Sequence, residues 1–304
     1  MTTAQSAWAG FTARSLARGL GQIFFQPRAW TGVAILAAFV VADWRMALLV
    51  LVGTAASTAA GCLLRPQRDT VEAGLLGFCG ALVGAAAFTA LGSQWLAWLV
   101  AAAGGLLCAP VTWALAWLFD TAPLRRFALP TTTAPFCLVA GLAYALTTDR
   151  HVAAASPPSD AGMVLDLARS LLTNIAEVVL VGGGWSGLLI LIGLFLASWR
   201  VGVAALMGSA IGSVTALVLG TEPSRIGEGL AGYSGVLTAI ALAVVFLRES
   251  AASWWYAALG AVLTAGVTLL MNDLTGGPVY TWPYILTTWV MLLIAAPIRG
   301  LDRS

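Results

Sequence analysis

Two polar side chains, Gln22 and Glu177, each lie inside an apolar segment that is too short to cross a bilayer. The segments are residues 15–25 and 170–180, and both are bounded by polar residues. Polar side chains are costly in lipid, so they usually mark a pathway for a solute or an ion. An amide oxygen and a carboxylate would both accept N–H bonds from a small polar solute. The alternative is that Gln22 and Glu177 hydrogen-bond across helices for packing alone.

Two glycine–aromatic motifs and two threonines are the next candidates. Residues 77–80 are Gly-Phe-Cys-Gly and residues 232–235 are Gly-Tyr-Ser-Gly. Glycines beside an aromatic residue allow close backbone approach, so the rings could form flat slabs around a planar solute, or could simply be core. Thr133 and Thr281 each stand two residues before a proline. Their hydroxyls could line a pore, or could satisfy backbone groups that the proline frees.

The composition identifies the solvent of these segments as lipid. Of 304 residues, 60% are hydrophobic and 9% are charged, whereas soluble proteins are about 25% charged. This excludes a soluble enzyme domain, a nucleic-acid binder and a disordered chain. The net charge of +2 is too small to indicate a polyanionic partner.

Metal and cofactor chemistry has little support in the sequence. The chain has four cysteines, none in a CxxC pair, and one histidine, so no metal-ligand spacing occurs and no cofactor is expected. An intramembrane enzyme would need histidine, paired carboxylates or an activated nucleophile near the membrane face. We therefore expect a protein that is not an enzyme.

An internal repeat organises the chain. Residues 15–25 match residues 170–180 at an offset of 155, and the two tryptophans Trp30 and Trp44 match Trp185 and Trp199 at the same offset. The two glycine–aromatic motifs also lie 155 apart, and Thr133 matches Thr281 at 148. Several matches in one order indicate duplication.

The apolar runs predict about ten spanning segments and two short pieces, which is five spans in each copy. An odd number of spans makes the second copy enter the membrane from the opposite face, so the repeats are predicted to be inverted. The predicted organisation is a first repeat over residues 1–148, with a half-helix at about 15–26, a linker over 149–169, and a second repeat over 170–304. Arginines near both ends favour cytoplasmic termini.

The ordered motifs resemble the urea transporter family over residues 15–297. The resemblance rests on Arg18-Gly-Leu-Gly-Gln-Ile-Phe-Phe-Gln26, on the glycine-rich stretch 74–84 and on the two Thr-x-Pro-aromatic motifs. It implies an all-α polytopic membrane protein with two inverted five-helix repeats and two tilted re-entrant half-helices around a central pore. It also implies a homotrimer with one pore in each protomer, passive transport of urea, and location in a bacterial plasma (inner) membrane.

The resemblance also implies roles for individual residues. Gln22 and Glu177 would bind the amide groups of urea between facing apolar slabs. The remaining implied residues line the slabs and the central constriction: Phe25, Phe78, Val178, Tyr233, Thr133, Thr281, Leu82 and Leu237.

Three positions depart from the pattern of the family, which usually reads Gly-Phe-Asn-Gly. Cys79 and Ser234 replace the asparagine, and Tyr233 replaces the second phenylalanine with a ring whose hydroxyl could narrow or wet its slot. These departures leave a channel for another small neutral amide as one rival function. An ion-coupled small-solute transporter is the other, since inverted repeats with broken helices are common in that class. Ion coupling normally needs more buried ionisable groups than Glu177.

Overall fold

The computed structural model describes residues 7–64, 66–152 and 162–304, and most of these residues are helical. Within them the one extended pairing is an isolated bridge between Leu247 and Arg303. The centre of the predicted linker, with Pro157 and Pro158, lies outside the described residues. The chain divides into two compact units, Met1–Ala155 and Ser156–Ser304.

The first unit holds eight described α-helices. They are α1 (Ala13–Gln22), α2 (Ala29–Ala42), α3 (Trp44–Leu63), α4 (Arg68–Glu72), α5 (Phe78–Leu91), α6 (Trp95–Phe119), α7 (Ala122–Arg125) and α8 (Ala134–Leu146). A 3₁₀ turn, Thr148–Arg150, follows them.

The second unit has a similar series of described helices. They are α9 (Met163–Glu177), α10 (Gly184–Ala197), α11 (Trp199–Val218), α12 (Pro223–Gly227), α13 (Tyr233–Ile240), α14 (Ala251–Leu274) and α15 (Trp282–Ala295). Helix α13 continues as a π-helical turn, Ala241–Val245. Helix α9 begins at Met163, ahead of the predicted start at 170, so its first turns occupy part of the predicted linker.

Helix boundaries recur at the offset that the sequence repeat has. Four pairs of helices begin 155 positions apart, at Ala29 and Gly184, Trp44 and Trp199, Arg68 and Pro223, and Phe78 and Tyr233. The ends of α1 and α9, Gln22 and Glu177, are also 155 apart. Residues that match in the sequence repeat therefore begin or end helices at equivalent positions of the two units.

Among the described residues, four helices are long and apolar enough to cross a membrane: α3, α6, α11 and α14, with 20 to 25 residues each. Six other apolar helices in this part of the chain have 10 to 17 residues, so several of the predicted spans fall below full spanning length. Paired tryptophans at the starts of helices, such as Trp30 and Trp185, are exposed, as expected for rings at a membrane–water interface. The prediction of an all-helical membrane protein is confirmed, whereas the inversion of the repeats stays a prediction.

Glycines allow the helices of each unit to pack with their backbones in contact. A Cβ on Gly32 of α2 would collide with the Ala17 carbonyl of α1, and a Cβ on Gly187 of α10 would collide with the Leu172 carbonyl of α9. These two contacts are 155 positions apart. Small residues let membrane helices approach this closely, and here they hold each short helix against its successor.

Candidate functional site

Helix α1 ends in a tight backbone turn three residues after Gln22. The Phe25 N–H donates to the Gln22 carbonyl at 2.9 Å, and the Gln26 N–H donates to the Gly21 carbonyl at 3.0 Å. Phe25 itself has φ 61°, in the left-handed region. This is the Schellman arrangement, which satisfies carbonyls at a helix C-terminus and normally has glycine at the left-handed position.

Helix α9 ends in the same turn. The Leu180 N–H donates to the Glu177 carbonyl at 3.0 Å, the Val181 N–H donates to the Ala176 carbonyl at 3.3 Å, and Leu180 has φ 63°. A left-handed conformation costs a non-glycine residue about 1–2 kcal/mol. Both units have a large apolar side chain at this strained position, which makes Phe25 and Leu180 candidates for a functional role.

Gln22 and Glu177 occupy equivalent positions at the ends of these helices, and both are partly exposed. The Gln22 side chain donates from Nε2 to the Ala73 carbonyl at 2.9 Å, so its other end, the amide oxygen, is available as an acceptor. The carbonyl equivalent to that of Ala73 belongs to Glu228. Glu177 has no N–H to donate to that carbonyl, and its carboxyl group presents an acceptor oxygen in either protonation state.

The two aromatic candidates begin helices α5 and α13. Phe78 is partly exposed, whereas Tyr233 is 7% exposed. The Tyr233 hydroxyl donates to the Tyr280 carbonyl at 2.5 Å. Leu82 and Leu237 follow these rings by four residues, on the same face of each helix, and both are fully buried.

Thr133 and Thr281 are the N-cap residues of α8 and α15, and each helix has proline in its first turn. Both threonines are at least 95% buried. The residues that precede them, Thr132 and Tyr280, have φ 48° and 47°. The backbone is therefore strained at the same place in the two units, directly before the threonine.

The second unit contains a cavity of about 910 Å³ that brings several candidates together. Glu177 and Tyr233 line it, along with the strained residues Leu180 and Tyr280. Two further carboxylates, Glu222 and Asp273, and the Arg225 guanidinium also line this cavity. A solute in it would meet acceptors beside a ring and an aliphatic side chain.

Val178 is placed differently from the other candidates. It is 1% exposed and is not among the residues that line the cavity, whereas Leu180 is partly exposed and lines it. Leu180 is also the counterpart of Phe25 in both sequence offset and backbone conformation. The sequence held the signal for Leu180, since the offset of 155 pairs it with Phe25. A slab role for Val178 stays a prediction.

Buried hydrogen bonds hold the short helices in place, and these residues were not among the sequence candidates. Asn174 of α9 donates to the side chains of Ser209 and Ser213 at 3.0 and 2.8 Å, and its Oδ1 accepts from the Gly232 N–H at 3.1 Å. In the first unit the equivalent of Asn174 is Gly19, which packs in van der Waals contact instead. The Arg18 guanidinium donates to the Glu72 carbonyl at 2.8 Å nearby.

The cysteines and other potential metal ligands form no recognisable centre in the described part of the chain. Cys62, Cys79, Cys108 and Cys137 are free and buried. No group of three or more His, Cys, Asp or Glu residues among the described ones is arranged to hold a metal ion.

Comparison with known proteins identifies a family over most of the chain. The family model described as "Urea transporter" matches residues 13–296. A protein named urea transporter 1 from Rattus norvegicus is 28% identical over 94% of this chain and 78% of its own length. Its counterparts from Ovis aries and Mus musculus are 28% and 27% identical, over 91% and 94% of this chain and over 75% and 78% of their own lengths.

Proposed function

Because this chain belongs to the urea transporter family, which is a family of transporters rather than enzymes, we propose that it carries urea passively through a selective pore in each protomer. Transport of urea across a membrane is the function that the family and the named relatives support. The observation that carries our finer proposal is the repeated end of α1 and α9. In both units a residue with an amide or carboxyl group precedes a Schellman turn closed by a large apolar residue.

The pore in this proposal lies between two inverted repeats, each with one re-entrant half-helix. Helices α1 and α9 are the half-helices, and their C-terminal ends carry Gln22 and Glu177. The recurrence of helix boundaries at one offset supports a duplicated architecture. Discontinuous helices of this kind bring backbone groups and polar side chains to the middle of a membrane without exposing them to lipid.

Urea is planar and neutral, with N–H groups along its edges and faces that tolerate apolar contact. We propose that Phe25 and Phe78 form one slot, and that Tyr233 forms the other with Leu180 or Val178. Gln22 and Glu177 accept N–H bonds at the edge of these slots. Thr133 and Thr281 continue the row of oxygens at the centre, where Leu82 and Leu237 narrow the path. Each bond replaces one that urea makes to water.

In this proposal the pore selects urea over ions because apolar rings on the faces of each slot are combined with acceptor oxygens along its edge. Apolar slabs cannot replace the hydration shell of Na⁺, so ions are excluded. Passage also requires binding that is strong enough to offset the loss of water and weak enough to release the solute. The departures Cys79, Ser234 and Tyr233 make formamide or acetamide the second candidate solute, since these residues change the polar groups next to the slots.

The assembly and the location are further proposals. We propose a homotrimer in a bacterial inner membrane with both termini in the cytoplasm, as the family resemblance implies. The named relatives come from mammals and do not bear on a bacterial location. Fractionation of the source cells tests it, and the protein should be found in the inner-membrane fraction. Native mass spectrometry of the detergent-solubilised protein tests the trimer, and a dimer or monomer would contradict it.

Variants of Glu177 test the binding site itself. In proteoliposomes, Glu177→Ala removes the acceptor and should lower urea permeability at least about tenfold, because about 1.4 kcal/mol of lost interaction corresponds to that factor. Glu177→Gln keeps an acceptor oxygen and reproduces the residue of the other unit, so it should retain most of the flux. Glu249→Gln is the matched control, since Glu249 pairs with Arg200 at 3.0 Å outside the proposed slots. Undiminished flux in Glu177→Ala would refute the site.

A further inference from the structure

The hydroxyl of Tyr233 is engaged by the backbone of its own unit. It donates to the Tyr280 carbonyl at 2.5 Å, and Tyr233 is 7% exposed. Tyr280 has φ 47° and immediately precedes Thr281, the N-cap residue of α15. The bond therefore joins the start of α13 to a strained turn at the start of α15.

The first unit handles the equivalent carbonyl in another way. Phe78 has no donor, and the Thr132 carbonyl is approached by the Cys79 sulfur at 4.0 Å, a weak interaction. In the second unit the residue equivalent to Cys79 is Ser234. Among the described residues, its buried Oγ has no hydrogen-bond partner. The donor to this carbonyl therefore stands one position earlier in the second unit. It is Cys79 in the first unit, whereas in the second unit it is Tyr233, the residue before Ser234.

We propose that Tyr233 is a positioning residue that holds the turn at Tyr280, and through it Thr281, while its ring keeps the slot apolar. This inference rests on the proposed function, because Thr281 is taken there to contact the solute. The hydroxyl does not wet the slot, since its hydrogen is used by the Tyr280 carbonyl. The hydrogen bond fixes the distance between Thr281 and the Tyr233 ring. This distance determines the size of the solute that fits between them.

Tyr233→Phe tests the role of the hydroxyl, because the ring remains and only the donor is lost. A buried hydrogen bond contributes about 1 kcal/mol, so urea permeability should fall about fivefold. The ratio of urea to N-methylurea permeability should fall as well, because a turn that is no longer held admits the larger solute more easily. A general loss of folded protein would lower both permeabilities by one factor and leave the ratio unchanged.

Two further variants complete the experiment. Glu249→Gln is the control and should leave the permeability and the ratio at wild-type values, because Glu249 pairs with Arg200 outside the proposed slots. Adding Ser234→Asn to Tyr233→Phe supplies an N–H donor at the position that Cys79 occupies in the first unit. It should restore the ratio at least in part.

The outcomes separate this inference from the proposed function. A wild-type protein that carries no urea overturns both. Urea flux that Tyr233→Phe leaves unchanged, or lowers in parallel with that of N-methylurea, overturns the inference alone. A lower ratio in Tyr233→Phe with recovery in the double variant supports it.

Discussion

Gly187 of α10 lies so close to the Leu172 backbone of α9 that the contact fixes the position of the short helix. A Cβ at position 187 would stand 2.6 Å from the Leu172 carbonyl carbon and closer still to its oxygen, whereas ordinary contact begins at 3.4 Å. Both sides of the contact are backbone, so no side chain can yield. Gly187→Ala must therefore push α9 away by about 1 Å, a distance estimated from the normal contact of methyl and carbonyl groups.

This displacement should reach Glu177, which lies on the same helix after Leu172. A misplacement of about 1 Å in a binding group costs up to about a hundredfold in enzymes, and overpacking of this kind costs about 1–3 kcal/mol of stability. We expect Gly187→Ala to lower urea permeability by about ten- to a hundredfold in proteoliposomes. The measurement is the stopped-flow rate of vesicle volume recovery after a urea gradient, divided by the amount of reconstituted protein.

Gly266→Ala is the matched control for this prediction. Gly266 lies in α14, and a Cβ there meets no atom of another part of the described chain within 4 Å. The same substitution in an apolar helix should therefore leave urea flux unchanged and should not lower thermal stability, since alanine favours a helix more than glycine does. Gly187→Ala with wild-type flux, or a similar loss in both variants, would show that the contact between α9 and α10 does not position the site.

Two further predictions concern stability. Leu180→Gly should raise the free energy of unfolding by about 1 kcal/mol, because glycine removes the left-handed strain. The same variant should lower urea flux, because the apolar wall of the slot is lost. A thermal unfolding scan and a flux assay that both show a decrease, or both show an increase, would contradict this prediction. The guanidinium of Arg45 holds the pKa of the Asp43 carboxyl below its ordinary value of 3.8 through a hydrogen bond. Its stabilising effect is therefore complete above 3.8 and is lost as the pH falls through the lower folded-state pKa. The difference in Tm between wild type and Asp43→Asn should shrink on acidification below 3.8, and a difference that stays constant would refute the ion pair.

Much of the fold was predictable because the duplication repeats residues with strong local requirements. Trp44 and Trp199, or Phe78 and Tyr233, begin helices in both units, and the sequence repeat places them at one offset. Helix α9 was predicted too short because its first turns, from Met163, mix polar and apolar residues in a segment that was interpreted as linker. These first turns pack against α12, where Asp166 lies beside Gly227.

The candidate site was predicted less completely than the fold. The polarity of Gln22 and Glu177 in apolar segments drew attention to two residues that end equivalent helices, whereas their role in binding stays a prediction. The turns at Phe25 and Leu180 were not, because the sequence has no glycine to mark a left-handed residue there. The hydrogen bonds of Asn174 and of the Tyr233 hydroxyl were also missed. They join residues that are distant in the sequence and that come together only in the folded unit.

The central claim is that urea moves passively through this protein, and the most direct test is its permeability in reconstituted proteoliposomes. Urea, formamide, acetamide and ammonia should be compared with and without an imposed pH or Na⁺ gradient. We predict that urea enters far faster than in protein-free vesicles and only down its own gradient, with no response to the ion gradients. Urea uptake that follows a pH or Na⁺ gradient would contradict the passive mechanism, and uptake equal to that of protein-free vesicles would contradict the transport of urea.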